Sequence, residues 1–397
     1  MQSVLIIGGG ASGAAAAIAL ARLNPQLRIT LLEKNERILK KLLTTGNGKC
    51  NITNTAVSPA VYESPLAAAV LQAYDYQAVQ AFLASLSLPI KADSSGRCYP
   101  LSESANNVVN TLLRALDTAG VTVITGQEVK RIQQEGKAFS VQANACFRAD
   151  AVIFAIGSAA SVKGYNGLDL CANLGWRFPR PTPALCPIPS QEPFLKALKG
   201  VRAKGTLRLG ERCESGEIQF TETAVSGICA FNLSRYVKAG DTLLIDFTPA
   251  GWSKAELAQA LQIAAASAAE NAQLLDFLLL RKLGTVVLKR AGLQPSGSPQ
   301  ALTQTDFEAL LQLLSAFPVT VEAPADMRAA QTVCGGADAR YIDPATLMAK
   351  QYPGLFVCGE LLNVHAPCGG FNLHWAWASG LFAAQAANTY LSGEYRD

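Results

Sequence analysis

Val4-Leu5-Ile6-Ile7-Gly8-Gly9-Gly10-Ala11-Ser12-Gly13 runs four aliphatic residues into a glycine turn, and an Ala-rich stretch follows directly. This is the pattern of a buried strand, a tight turn and a helix. Arg28-Ile29-Thr30-Leu31-Leu32 reads as the next strand and ends at Glu33, 20 residues beyond Gly13. In Gly8-x-Gly10-x-x-Gly13 the first glycine permits the turn, the second lets the backbone approach a pyrophosphate, and the third lets helix and strand pack closely. The helix start then offers free N–H groups and the positive end of its dipole to the phosphates. Glu33 stands where a carboxylate accepts from an adenosine ribose 2′-OH and disfavours a 2′-phosphate. The expectation is a site for FAD or NAD, rather than NADP, at the head of a doubly wound α/β sheet.

The rest of the composition fits such a protein. The chain has 397 residues, half of them hydrophobic and 16% charged, which argues against disorder. A net charge of +4 is too mild to identify a partner. Val4 to Leu23 carries no charge except Arg22, but its glycines and the absence of Lys or Arg before it argue against a membrane span or a secretory signal. Ten cysteines form no Cys-x-x-Cys pair, which fits a reduced compartment, so a cytoplasmic location is expected.

Further along, helices are expected near 76–87 and, after Ser102 or Ser104 as N-cap, near 104–118, with strands at 121–125, 139–143 and 151–155. Prolines from Pro179 to Pro193 mark a change of texture, followed by short alternating segments up to Gly251 and Ala/Leu/Gln-rich helices over 253–316. Strands and glycine turns return after 326, and an apolar helix is expected over 372–391. The domains expected are 1–187 and 326–397 as two parts of one nucleotide-binding domain, 188–251 as a β-rich substrate domain, and 252–325 as a helical bridging subdomain.

The second part of that domain distinguishes FAD from NAD. Leu355-Phe356-Val357-Cys358 runs into Gly359-Glu360, an acid placed to hydrogen-bond ribityl hydroxyls. Gly369-Gly370-Phe371-Asn372 then opens a helix whose dipole favours negative charge on a reduced flavin. An NAD-dependent dehydrogenase would use Glu33 but gives no reason for this second constellation.

Several of these segments, with Lys40-Lys41-Leu42-Leu43-Thr44-Thr45-Gly46-Asn47-Gly48-Lys49-Cys50-Asn51-Ile52-Thr53-Asn54, Gly96-Arg97-Cys98-Tyr99-Pro100, Phe220-Thr221 with Ser226-Gly227, and Gly369 through Trp377 to Gly380, resemble the YhiN/BaiN-like flavoproteins, which include aminoacetone oxidase-like members. The resemblance implies an α/β Rossmann-like FAD-binding domain with an inserted β-barrel-like domain and a helical bridging subdomain. It also implies an FAD-dependent oxidoreductase that reduces an activated C=C bond, in a steroid or in a uridine of ribosomal RNA, or that oxidises an amine. The candidate cofactor residues are Gly8, Gly10, Ala11, Ser12, Gly13, Glu33 and Lys34; Lys41, Thr45, Gly46, Asn47, Gly48, Cys50 and Asn51; Val129, Ala155 and Gly157; and Gly359, Glu360, Gly370, Phe371 and Asn372.

Cys50, in the glycine loop, is the candidate proton donor, against the plainer reading of a small buried hydrophobe. Lys41, Lys49 and Arg97 are candidate anion clamps. His365 and His374 lie among Cys358 and Cys368 at spacings that match no compact zinc site, so no metal is expected. Trp375 and Trp377 are expected to pack. Residues 188–330 hold no second Gly-rich βαβ unit, so NAD(P)H would dock transiently at the flavin. A flavin-dependent amine or small-molecule oxidase, and a flavin-bearing RNA-binding factor without turnover, stand as alternatives.

Overall fold

In the computed structural model the aliphatic run Ser3–Ile7 is the central strand of a five-stranded parallel sheet. The order across the sheet is Leu355–Val357, Ala151–Phe154, Ser3–Ile7, Arg28–Leu32, Thr122–Ile124, with Ile6 opposite both Ile153 and Leu31, and Phe154 opposite Val357. Parallel strands covered on both faces read as unbroken aliphatic runs, and Ser3–Ile7 and Ala151–Phe154 are buried throughout. The neighbours of the central strand lie on opposite sides of it, which makes its carboxyl end the switch point where ligands bind in open α/β sheets. Gly8, Glu33, Ala155 and Cys358 each follow the last residue of a strand, so the sheet delivers four expected site segments to one edge.

The structure describes residues 1–393 apart from 161, 163, 324 and 325. The sheet belongs to a unit made of Met1–Thr182 and the chain from Thr332 onward; Pro183–Gln331 form a second unit. In the first unit, helix Ala11–Leu23 packs on the last helix, Phe371–Ser392, through small residues. Ala14 to Ala17 have no exposed surface. A Cβ on Gly13 would lie 1.9 Å from the Gly8 carbonyl oxygen, and one on Gly380 2.4 Å from that of Ser12. These glycines are required for close approach rather than for a turn. Asp75 caps helix Tyr76–Ser85, and Ser104 caps Ala105–Thr118 by accepting from the Asn107 N–H.

The second unit holds a six-stranded antiparallel sheet in the order Ile188–Pro189, Ala224–Ser226, Arg212–Phe220, Arg202–Leu209, Thr242–Asp246, Phe317–Thr320. Helices Lys254–Ser267 and Gln304–Ser315 both start with capping boxes, Ser253 with Glu256 and Thr303 with Asp306. Leu257, Leu261, Leu310 and Leu314 share one apolar core with Leu207, Ile218 and Ile245 of the sheet. The junction expected at 325 lies outside the described residues. Among the described residues no helix is long and apolar enough to cross a membrane.

Candidate active site

Gly8 has a φ of +108°, and a Cβ on it would meet the Ala155 carbonyl oxygen at 2.3 Å, so both conformation and crowding demand glycine. Gly10 is the N-cap of helix Ala11–Leu23 and supplies no side-chain cap. A Cβ on Gly10 would meet no protein atom within 4 Å. The first N–H groups of a helix have no partner within it, so those of Ala11, Ser12 and Gly13 face a cradle built without side chains. Glu33 sits beside this turn: one oxygen accepts from the Gly9 N–H at 2.9 Å, the other from the Asn35 N–H at 2.9 Å and from the Asn35 side chain. Each carboxylate oxygen can accept more than one hydrogen bond, so Glu33 is immobilised while keeping capacity for a ligand. Asn35 was not anticipated, although its place two residues after an acid at a strand end is a turn signal.

At the neighbouring strand ends, Glu360 Oε2 accepts from Lys41 Nζ at 2.6 Å and from Ser158 Oγ at 3.1 Å. The glycine loop, the chain after Ala151–Phe154 and the Gly359-Glu360 turn thus meet at one carboxylate. Lys41 belongs to the site, but its charge is directed at Glu360. Gly157, at φ +69°, has open space where a Cβ would stand, and its carbonyl accepts from Tyr165 Oη at 2.9 Å. Burial pushes the Tyr165 phenol up, keeping it a neutral donor. Gly359 is fixed through its N–H on Ser379 Oγ at 2.9 Å and its carbonyl on Trp375 Nε1 at 3.1 Å. Ser158 and Tyr165 carry no sequence signal beyond following the strand.

The 45–54 loop takes an irregular path: Gly46, Asn47, Gly48 and Cys50 all have φ between +54° and +83°. Its last three residues bond to the last segment of the chain. The Ile52 carbonyl accepts from Trp377 Nε1 at 3.2 Å, Thr53 Oγ1 lies 2.7 Å from His374 Nδ1, and Asn54 Nδ2 donates to the Gly369 carbonyl at 2.9 Å. Tyr62 Oη adds a bond to the Phe371 carbonyl at 2.8 Å. Gly370, at φ +100°, fits under this clasp because a Cβ would stand 2.3 Å from the Thr53 carbonyl oxygen. Asn51 Oδ1 is buried with no hydrogen-bond partner. The Asn372 side chain is spent on loop closure, accepting from Ala366 N–H at 3.0 Å and donating to Ala366 O at 2.8 Å.

Other candidates sit differently. Cys50 has no exposed surface; burial pushes its thiol up to about 11, opposed by a hydrogen bond with Thr45. Lys49 pairs with Glu103, whose hydrogen bond and charge hold the ammonium above its ordinary value. Lys34 Nζ donates to the Gly164 carbonyl at 2.8 Å, and the Val129 carbonyl accepts from Asn166 Nδ2 at 2.8 Å. The Arg97 backbone N–H donates to Asp93 at 3.0 Å. His374 is a buried histidine bonded to Thr53 and Tyr74. Among the described residues no group of three or more His, Cys, Asp or Glu could hold a metal.

The residues present fit FAD. The side-chain-free cradle at Gly10, the immobilised acid at Glu33, the open Gly157 turn and the orphaned Asn51 acceptor are all features that a large polar ligand completes.

Comparison with known proteins agrees. Residues 2–386 match the family model described as HI0933-like protein Rossmann domain. The chain is 34% identical to a 3-dehydro-bile acid delta(4,6)-reductase of Clostridium scindens, over 98% of this chain and 99% of that protein. It is 26% identical to a ribosomal RNA dihydrouridine synthase of Haemophilus influenzae (96% and 97% covered) and 24% identical to one of Escherichia coli (96% of each). The family resemblance carried by the glycine loop and the Trp-rich helix thus extends along the whole chain, which belongs to the HI0933-like family of Rossmann-fold flavoproteins and is a flavin-dependent oxidoreductase.

Proposed function

We propose that this protein reduces a C=C bond conjugated to a carbonyl, with NAD(P)H as electron source and a small molecule as substrate. The observation that carries the reading is the clasp between residues 52–54 and the 369–377 segment, which surrounds the Gly370 helix start with uncharged side chains and carbonyls, away from the charged groups at Glu33 and Glu360. Such a site suits a neutral, apolar acceptor. A delta(4,6)-reductase and a dihydrouridine synthase, both full-length relatives, are named for saturating ring C=C bonds, and this common chemistry supports the reading. FAD, when bound, supplies two-electron chemistry between a nicotinamide and such an acceptor. The chain's own part is to bind the dinucleotide through the Gly8–Gly13 turn and Glu33, to fix Glu360 through Lys41 and Ser158, and to hold the 45–54 loop in place. In this reading Cys50, enclosed in the core, packs the loop rather than donating the proton.

A small substrate is favoured over RNA by charge. Residues 183–331 carry 14 Lys and Arg against 14 Asp and Glu, whereas RNA recognised by shape demands phosphate contacts. A uridine of ribosomal RNA is the second reading, supported by the two dihydrouridine synthases. The test is anaerobic reduction of the holoenzyme with NADH or NADPH, then reoxidation by a 4-en-3-one or 4,6-dien-3-one steroid or by unmodified ribosomal RNA. Reoxidation by the steroid enone is expected. Reoxidation by RNA alone would favour the second reading, and reoxidation by dioxygen alone would make the protein an oxidase.

A further inference from the structure

His374 is one of two histidines in the chain, and the flavin reading gives it no task. It lies in the first turn of helix Phe371–Ser392 with no exposed surface. Its Nε2 is 3.2 Å from the Tyr74 carbonyl, which can only accept, so Nε2 carries the proton. Nδ1 is then an acceptor, and Thr53 Oγ1 donates to it at 2.7 Å. The imidazole therefore joins three segments: the last helix, the turn after helix Ala67–Ala73, and strand Thr53–Asn54. Ile52 and Asn54 each reach the last segment by one bond, the Asn54 side chain being held also by the Ala56 N–H at 2.9 Å, and the Thr53 hydroxyl between them is tied to the His374 ring.

Two residues before Thr53, Asn51 presents its partnerless Oδ1 to Gly370, 2.8 Å from where a Cβ would stand. A buried acceptor without a partner is costly to hold unless a ligand completes it. Asn51 belongs to no regular helix or strand. Side-chain ties such as the Thr53 bond therefore fix where it sits relative to the helix start.

We propose that His374 is a positioning residue for the flavin site, acting through Thr53 to set where the Asn51 amide oxygen stands relative to the Gly370 helix start. The proposal rests on the flavin reading of the same site. It requires the hydrogen bond and not merely the bulk of the ring. A buried ring that only filled space would be indifferent to the acceptor at the Nδ1 position.

The test uses purified holoenzyme and two pairs of variants. His374→Asn keeps an acceptor near the Nδ1 position, whereas His374→Gln keeps a donor for Tyr74 and loses the acceptor; Thr53→Ser keeps the hydroxyl, and Thr53→Val loses it at nearly constant shape. FAD dissociation constant, the visible flavin spectrum and the flavin reduction potential are measured on each. The expected result is that Thr53→Val and His374→Gln weaken FAD about tenfold and alter spectrum and potential alike, with no further loss when combined, while Thr53→Ser and His374→Asn stay near wild type. Equal behaviour within each pair would overturn the proposal while leaving the flavin assignment standing. A wild-type protein that takes up no flavin would instead overturn the reading beneath it. Thr53→Val, the mildest change in shape, decides the matter if the His374 variants fail to fold.

Discussion

Lys41 Nζ and Glu360 Oε2 stand 2.6 Å apart, an ion pair that closes a loop of 319 residues and joins the glycine loop to the second half of the nucleotide-binding unit. Glu360 is the better shielded partner, with 17% of its side chain exposed against 37% for Lys41. Removing the acid removes a charged acceptor from the site; removing the lysine lets water take its place. Glu360→Gln should therefore weaken FAD by about 1.5–3 kcal/mol, the range for hydrogen bonds to charged groups, and Lys41→Met by less. Titration of apoprotein with FAD, followed by flavin fluorescence, checks the order; equal losses would mean that the pair acts as one clamp.

Gly10 and Gly380 give opposite predictions for the same substitution. Gly10→Ala places a methyl where it meets no protein atom, so folding should be unaffected while FAD uptake is lost, because the methyl occupies the approach to the helix N–H groups. Gly380→Ala drives a methyl to 2.4 Å from the Ser12 carbonyl oxygen, and backbone cannot step aside. Overpacking of this kind should cost about 1–3 kcal/mol of stability. Urea unfolding and flavin content measured side by side separate the two; a destabilised Gly10→Ala protein would show that this glycine serves the fold.

Glu33→Ala should also weaken FAD, by about 1–3 kcal/mol, since the carboxylate both holds the Gly9 amide and offers acceptors beside the turn. The released cofactor should be FAD and not FMN, which lacks the adenosine half. A colourless protein that binds NAD tightly and takes up no flavin would contradict the assignment.

What was legible in the sequence is what local pattern encodes. The run Val4–Ile7, the Gly8–Gly13 turn and the Ala-rich helix announce themselves because a strand buried on both faces must be aliphatic and a cradle for phosphates must lack side chains. The helix cap, legible as Ser102 or Ser104, falls at Ser104, and the apolar helix legible from about 372 starts at Phe371. Strands Arg131–Glu135 and Cys146–Ala149 were not legible, being short and without a regular apolar alternation. Strand Phe317–Thr320 returns to the antiparallel sheet after three helices, a pairing that no local pattern records. The clasp from Thr53 to His374 was hidden for the same reason: it is made by single side chains 321 positions apart, without periodicity. Cys50 showed its place in the loop but not its burial, and burial decides its chemistry.

That burial gives a test by reactivity. Cys146 and Cys213 are the exposed thiols, while Cys50, Cys171 and Cys358 are buried and pushed up to about 11, 12 and 12 by desolvation. A thiol so placed is neither accessible nor ionised near pH 7. In the native protein a disulfide reagent should label Cys146 and Cys213 first and reach Cys50 only on unfolding. Cys50→Ala should keep enone reduction within a few-fold and lose about 1–2 kcal/mol of stability. A drop of about 10²–10⁴-fold in the oxidative half-reaction alone, the size general acid catalysis supplies, would restore Cys50 as the proton donor.

His374 makes stability depend on pH in a direction that can be worked out. Burial holds its folded pKa down to about 4, against 6.5 for an unperturbed histidine. Above pH 6.5 the ring is neutral in both states and contributes no slope. Between pH 6.5 and pH 4 the unfolded chain takes up a proton that the native imidazole refuses, because burial penalises the charged ring by more than the Tyr74 carbonyl and the Asp75 charge favour it. Stability therefore falls as pH is lowered through that window, by up to about 3 kcal/mol for a difference of this size. Below pH 4 the native ring is protonated too and the slope ends. Urea unfolding at pH 7.5, 6, 5 and 4.5 should show the loss in the wild type and a flatter profile in His374→Gln, which has no titrating ring at this position; parallel profiles would mean that His374 titrates alike in both states.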